Sequence, residues 1–260
     1  EKQFPPQVLE EARQIQEKGI SQREIDNRLD LRGEIIFTID GADTKDIDDA
    51  ISLTRTENGY ELGVHIADVS YYVTDGTPID QDAYSRGTSV YYASSVIPML
   101  PKELSNGICS LNPQVDRLTL SCIMTLHPDG SVADYTIAQS VIRTTERMTY
   151  EDCNLLLSDA DPALAQRYAH ILPMLRDMAA LAQILEARRK RRGSLDLASR
   201  ESYILCDEEG HPVSIQARTP GVSEGLIESF MLAANECVAA HLSRLDAPAV
   251  YRIHEKPSQE

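Results

Sequence analysis

A mixed α/β fold with a largely antiparallel or mixed sheet is predicted by three features of the sequence. Short β-branched runs are separated by hairpin signals at Asn58–Gly59 and at the segment HPDGS (127–131). From Asp161 the apolar period changes from strand-like to helical. Strands therefore precede and enclose helices, and 260 residues are enough to bury a sizeable core.

Along the chain, residues 6–29 read as one or two short polar helices forming a docking arm, with Ser21 and Glu24 at capping-box spacing. Residues 34–39 predict a strand. Residues 50–54 and 60–73 predict a hairpin across Asn58–Gly59. Residues 80–85 suggest a short helix and 90–92 a short strand. The stretch VIPMLPKELSNGICSL, punctuated by proline and glycine, reads as a compact functional loop. Two strands, 118–126 and 132–143, flank the second hairpin signal, and Thr149 with Asp152 opens a helix at Tyr150. Leu164, Tyr168, Ile171, Leu175, Met178, Ala182 and Leu185 recur three and four residues apart, the stripe of a helix packed on a core, and Pro173 should kink or divide it. A third hairpin is expected around DEEGH (207–211), a long helix over 223–244 and a strand at 249–253.

Composition bounds the function. No run of eighteen apolar residues is present, which excludes a transmembrane helix, and the first residues lack the pattern of a signal peptide. The five cysteines are widely spaced and never in a CxxC pair, which argues against a disulfide framework or a zinc site and fits a reducing cytoplasm. A formal charge of −16 opposes binding to a polyanion unless a local basic channel or a metal intervenes.

The stretch TIDGADTKDIDDAISL (38–53) carries Asp40, Asp43, Asp46, Asp48 and Asp49 between two apolar runs. A pair of aspartates in a turn is ordinarily just solvated. Five so close together, among Ile39, Ile47, Ala50 and Ile51, repel one another unless a cation, water or basic groups offset the charge. Carboxylates suit magnesium, manganese or calcium. An EF-hand is rejected: counted from Asp43, the sixth residue is Asp48 rather than glycine and the twelfth is Thr54 rather than an acid. A magnesium site acting at phosphorus fits the donors better.

This stretch closely resembles the signature of the RNase II/RNase R superfamily of RNB-type exoribonucleases, and among its members most resembles RNase R. The resemblance continues in family order through VHIADVSYYV (64–73), 86–122, RRGSLDL (191–197), IESFMLAANE (227–236) and YRIHEKP (251–257). It implies an RNB-type catalytic domain, over 31–260 behind an N-terminal arm (1–30). It also implies processive, magnesium-dependent hydrolysis of single-stranded RNA from the 3′ end to nucleoside 5′-monophosphates, with manganese as the other candidate ion. The implied catalytic residues are Asp40, Asp46, Asp48 and Asp49. Asp40 and Asp49 are implied as direct metal ligands, Asp46 as support for the metal or its waters, Asp48 as neighbour of the attacking water, and Asp43 as a bystander.

Tyr91 matches the family tyrosine that packs on a base near the 3′ end; by strand alternation Tyr92 should point away. The basic run 188–192 reads equally as a helix end stabilised by cations or as a phosphate contact, with Arg192 the residue to test first. Glu228 matches the first of two family acids near the terminal ribose, while Ser229 departs from the second. Arg252, His254 and Glu255 match a family segment close to the site, while a lone histidine near a strand reads as structural, and His65 is expected to be packed or hydrogen bonded. The chain lacks an initial Met, and the family's cold-shock and S1 domains and a later arginine are missing from it, so a fragment inactive alone is expected. A cytoplasmic monomer with the 3′ end of single-stranded RNA as partner, and no membrane, is expected. The alternatives are a metal-dependent phosphoesterase on another nucleic acid or nucleotide, and a calcium-holding binding module.

Overall fold

The computed structural model describes residues 3–92, 95–194, 201–207, 211–218 and 220–253. In chain order its elements are α1 (Pro6–Lys18), α2 (Gln22–Asp26), β1 (Leu29–Asp30), β2 (Phe37–Asp40), β3 (Asp49–Thr56), β4 (Gly59–Ala67), α3 (Val69–Tyr72) and α4 (Pro78–Arg86). A small hairpin of β5 (Val90–Tyr91) and β6 (Val96–Ile97) follows, then a π-helical turn, Glu103–Ile108. Next come β7 (Asp116–Leu126), β8 (Val132–Arg143), β9 (Glu146–Thr149), α5 (Tyr150–Leu157), α6 (Pro162–Arg167) and α7 (Leu172–Arg191). The last elements are β10 (Glu201–Cys206), β11 (Pro212–Arg218) and α8 (Val222–Arg244).

Seven strands form one mixed sheet in the order β1-β8-β7-β4-β3-β2-β9. The interior pairs are antiparallel and only the two edges, β1 on β8 and β9 on β2, are parallel. The hairpin turn before β4 needs Gly59: its φ is 144°, and a Cβ there would collide with the carbonyl oxygen of Leu126.

Local chemistry accounts for the helix boundaries. Ser21 Oγ accepts from the Glu24 amide (3.2 Å) and Thr149 Oγ1 from that of Asp152 (3.0 Å), so the two sequence-predicted caps form. Of the two outcomes expected at Pro173 the helix is divided rather than kinked: it breaks between α6 and α7, and Pro173 lies in the first turn of α7, where the absent N–H is no loss. The long strand expected to Val73 stops at Ala67 and gives way to the short α3. The strand expected at 249–253 does not form, and Val250, Tyr251 and Ile253 are exposed.

Three apolar clusters hold the fold. The largest packs α5, α7 and α8 onto one face of the sheet, burying Phe37, Ile51, Val64 and Met124 against Leu175, Met178 and Phe230. All of the predicted helical stripe from Tyr168 to Leu185 lies in it. A second cluster docks α1, α2 and α4 onto Leu118 and Val141. The third, with Ile36, Ile47, Ala50, Ala67, Leu111 and Ile142, backs the aspartate loop.

A buried polar seam crosses the sheet between these clusters. Ser52 Oγ contacts His65 Nε2 (3.1 Å), His65 Nδ1 contacts Ser121 Oγ (2.6 Å), and Ser121 continues to Ser140 (2.6 Å) and Thr119. Burial holds His65 neutral by pushing its pKa down to about 4. His65 is thus structural, as expected, and Gly63 leaves room for it, since a Cβ there would strike Ser52 Oγ and the imidazole. At the end of the seam Arg28 donates to the Thr119 carbonyl (3.3 Å) and pairs with Asp68 (2.8 Å), both side chains almost wholly enclosed, while Glu24 takes the other side of the guanidinium (2.6 Å).

Truncating one partner of such a pair leaves the other charge desolvated. Asp68→Ala should therefore destabilise the chain by about 3–5 kcal/mol in urea titrations, whereas removing the exposed pair partner Asp159 should change stability by less than about 1 kcal/mol.

Candidate active site

The loop between β2 and β3 takes its shape from main-chain bonds. Thr44 N donates to the Gly41 carbonyl (3.1 Å), closing a turn, and Arg147 of β9 donates to the carbonyls of Ala42 (3.2 Å) and Thr44. Ser110, fully buried, donates to the Lys45 carbonyl (2.8 Å) and accepts from the Ile47 amide (3.1 Å). The Leu111 amide donates to the Ile47 carbonyl (2.9 Å) and the Ala67 amide to that of Asp48 (2.9 Å). Buried Ile47 pins the loop to the third cluster. Successive carbonyls are thereby drawn toward the protein while the carboxylates stay together at the mouth of the sheet.

Asp40 ends β2 and Asp49 begins β3, so the two stand where the antiparallel pair opens. Each has one carboxylate oxygen buried without a hydrogen-bond partner. Burial pushes Asp40 up to about 7, with the Asp49 charge adding to it and Arg147 opposing it; Asp49 rises to about 6 through burial and then the Asp48 charge. Asp48 is exposed on its outer side, yet atoms crowding its inner side, then Asp46, also raise its carboxyl. Asp43 is exposed.

Asp46 accepts a hydrogen bond from the Tyr91 hydroxyl (3.2 Å). The β5–β6 hairpin thus holds Tyr91 at the edge of the aspartate group with its side chain 66% exposed, and burial followed by the Asp46 charge raises the phenol. Tyr92 is also exposed.

Two other sequence-expected residues lie on the helices. Arg192, just past α7, makes two bonds to Glu236 of α8 (2.9 and 3.0 Å). It borders an open cavity of about 350 Å³ that also meets Arg188, Arg189 and Arg244, and the lining of this cavity includes none of the loop aspartates. Glu228 is exposed on α8, and Ser229 is buried and accepts from Arg189 (3.1 Å). The α8 acid that approaches the loop is Glu224, one turn earlier. It accepts from the Gly221 amide (2.9 Å) and Asn154 (3.2 Å) and shares a cavity of about 470 Å³ with Gly41 and Ala42. His254, Glu255 and the LDL of RRGSLDL lie outside the described residues.

Would these residues hold a cation? No three His, Cys, Asp or Glu side chains among the described residues form a ready cage. What is built is a pair, Asp40 and Asp49, each with an orphaned buried oxygen. That donor set suits magnesium, which keeps several waters and takes one or two carboxylates with substrate phosphate completing its shell, and it suits zinc poorly. Asp46 is engaged by Tyr91, which fits the support of waters better than direct ligation. No helix among the described residues is long and apolar enough to cross a membrane.

Comparison with known proteins gives a consistent result. The RNB domain model matches residues 28–260. The chain is 52% identical over 99% of its length to Ribonuclease R 1 of Lactococcus lactis subsp. lactis (strain IL1403), covering 32% of that protein. It is 47% identical over 99% of its length to Ribonuclease R of Thermotoga maritima, covering 36%. The chain therefore spans about a third of the length of these relatives. Among solved structures, Mycoplasma genitalium RNase R in complex with ribose-methylated single-stranded RNA superposes with a TM-score of 0.92 at 29% identity, over 98% of this chain and 39% of the other.

The raised carboxyls set a pH dependence. The folded chain binds more protons at Asp40 and Asp49 than the unfolded chain does, so these groups lower stability as pH rises from about 4 to about 7. In chelator, Asp40→Asn should flatten that decline and stabilise the chain at pH 8 by about 1–2 kcal/mol. Magnesium should raise the thermal midpoint of the parent chain at pH 8 and leave Asp40→Asn nearly unmoved; the check is calorimetry with and without the ion.

Proposed function

The chain belongs to the RNB domain family, and we propose on that premise that it carries the hydrolytic centre of a 3′-to-5′ exoribonuclease. The observation that supports this reading most directly is the pair of unpartnered, buried oxygens on Asp40 and Asp49 beside a third carboxylate, Asp48. Residues 31–260 are the catalytic portion in this reading, and the arm 1–30 docks through Val8, Ala12 and Ile25.

Asp40 and Asp49 would hold magnesium, or manganese in its place, which when bound would supply positive charge against the phosphoryl oxygens of the terminal phosphodiester. The remaining work falls to the chain. Asp48, its carboxyl raised by burial and then by the Asp46 charge, orients the attacking water and accepts its proton. Oxygen from water bonds to phosphorus, the bond from phosphorus to the 3′ oxygen of the preceding nucleotide breaks, that oxygen takes a proton from solvent to become the new 3′-hydroxyl end, and the terminal nucleoside leaves with its 5′-phosphate. Asp46 holds the Tyr91 hydroxyl and so presents the ring to the last bases. Arg192 and Glu228 are assigned to the RNA strand from exposed positions on the helical side, Arg192 exchanging its Glu236 partner for phosphate. The protein acts as a cytoplasmic monomer on single-stranded RNA.

Within a protein of its relatives' full length, and supplied with magnesium, these residues should shorten 5′-labelled single-stranded RNA from the 3′ side and release nucleoside 5′-monophosphates, while the 260 residues alone should turn over little or none. Asp48→Asn should lower the rate by about 10²-fold or more while RNA binding persists. Endonucleolytic products, or an unchanged rate in that variant, would overturn the assignment.

Tyr91 separates ring from hydroxyl. Tyr91→Ala should weaken RNA binding by about 1–3 kcal/mol and leave longer limit products on a sequencing gel. Tyr91→Phe, which keeps the ring and loses only the bond to Asp46, should cost about 1 kcal/mol or less.

A further inference from the structure

Strand register arranges the helix-covered face of the large sheet into transverse rows, since alternate residues share a face. The row Ile51, Val64 and Cys122 is buried under α7 and α8. Two residues further along, the paired Leu118 and Val141 are buried under the N-terminal helices. Between them runs a row that neither cluster covers: Asp49 pairs with Ile66, Ile66 with Leu120, and Leu120 with Gln139. Ile66 is 40% and Leu120 41% exposed, and Gln139 is exposed too.

At about 4.8 Å per strand the row extends about 14 Å from Asp49, and its covered neighbours lie about 6.7 Å to either side. The result is an open trough with an aliphatic floor, closed at one end by a carboxylate of the candidate metal pair. Apolar side chains scattered singly on a surface need no explanation. Two adjacent ones, in the middle strands of a sheet and in register with Asp49, do.

We propose that Ile66 and Leu120 form the floor on which the bases of the polynucleotide rest as its terminal phosphodiester reaches Asp49, an inference that rests on the nuclease reading above. Continuity with Asp49 selects the occupant, because whatever lies along the row must also present a phosphate at its end. Charge selects the contact. The row of Asp49, Ile66, Leu120 and Gln139 holds no basic side chain, so along it affinity must come from the uncharged part of the strand. An aliphatic floor has no donor or acceptor with which to choose among bases, so it would accept any sequence.

The test uses the 260-residue chain in magnesium with two fluorescein-labelled ligands, a ribose-methylated oligoribonucleotide and an abasic strand of equal length. Anisotropy titrations should show Ile66→Thr and Leu120→Thr each weakening the base-bearing ligand about three- to tenfold and moving the abasic one by less than about twofold. Ile66→Phe should tighten the base-bearing ligand alone, so a gain as well as a loss can be read. Equal weakening of both ligands, or no change in either, overturns the floor while leaving the nuclease reading in place. Failure of the parent chain to bind the base-bearing strand overturns the floor as well, whereas the nuclease reading falls only on the separate turnover result for Asp48→Asn.

Discussion

Two carboxylates half enclosed by protein, each with an oxygen that nothing on the chain satisfies, form the constraint on which the rest of the structure depends. An unpaired buried polar atom costs on the order of 1–3 kcal/mol, and more if it is charged. Asp40 and Asp49 both carry that cost: burial raises each carboxyl, the Asp49 charge adds to Asp40 and the Asp48 charge to Asp49, so ionising both is opposed unless a compensating charge is present. Arg147 supplies only a little of it, because its guanidinium is spent on the carbonyls of Ala42 and Thr44. The site is thus held in a shape that its own charges oppose, which is how a protein reserves a place for a cation.

That opposition has to be met elsewhere, and the fold shows where. The loop is clamped from three sides by Ser110, Arg147 and the Ala67 amide, and Ile47 is buried beneath it. Behind the clamp the hydroxyls and imidazole from Ser52 to Thr119 tie β3, β4, β7 and β8 together through side chains as well as through the ladder, and the enclosed Arg28–Asp68 pair fixes the end of that seam to the N-terminal helices. Residues far from the aspartates therefore determine how closely the carboxylates can be held.

Sequence made the loop and the strands around it readable because both signals are local. Five aspartates flanked by isoleucines, and Asn58–Gly59, declare themselves within a dozen residues. The caps at Ser21 and Thr149 were legible for the same reason. What stayed hidden was non-local. The edge strands β1 and β9 are two and four residues long, too short for a period, and exist only through parallel pairing with β8 and β2. Ser110 and Arg147 look like any serine and arginine until the chain brings them against the loop backbone. Glu224, in the first turn of α8, gives no local sign that it neighbours Gly41. Residues 249–253 have strand-like composition and no partner strand, and composition alone cannot make a ladder.

The acidity of the chain, which at first opposes a polyanionic substrate, follows from this arrangement rather than contradicting it. A nuclease that moves along a strand gains nothing from gripping every phosphate, since each grip must be released before the next step. On the nuclease reading proposed above, attraction concentrated at the aspartate site would bind the strand where the bond is to be broken and loosen it along the rest. Tyr91 at the mouth and the aliphatic row leading from Asp49 then offer contacts insensitive to salt and to base identity. The arginines of the basic cavity between α7 and α8 are partly occupied by Glu236, Ser229 and Tyr135, so on the same reading any contact they made with the strand would be exchangeable rather than fixed.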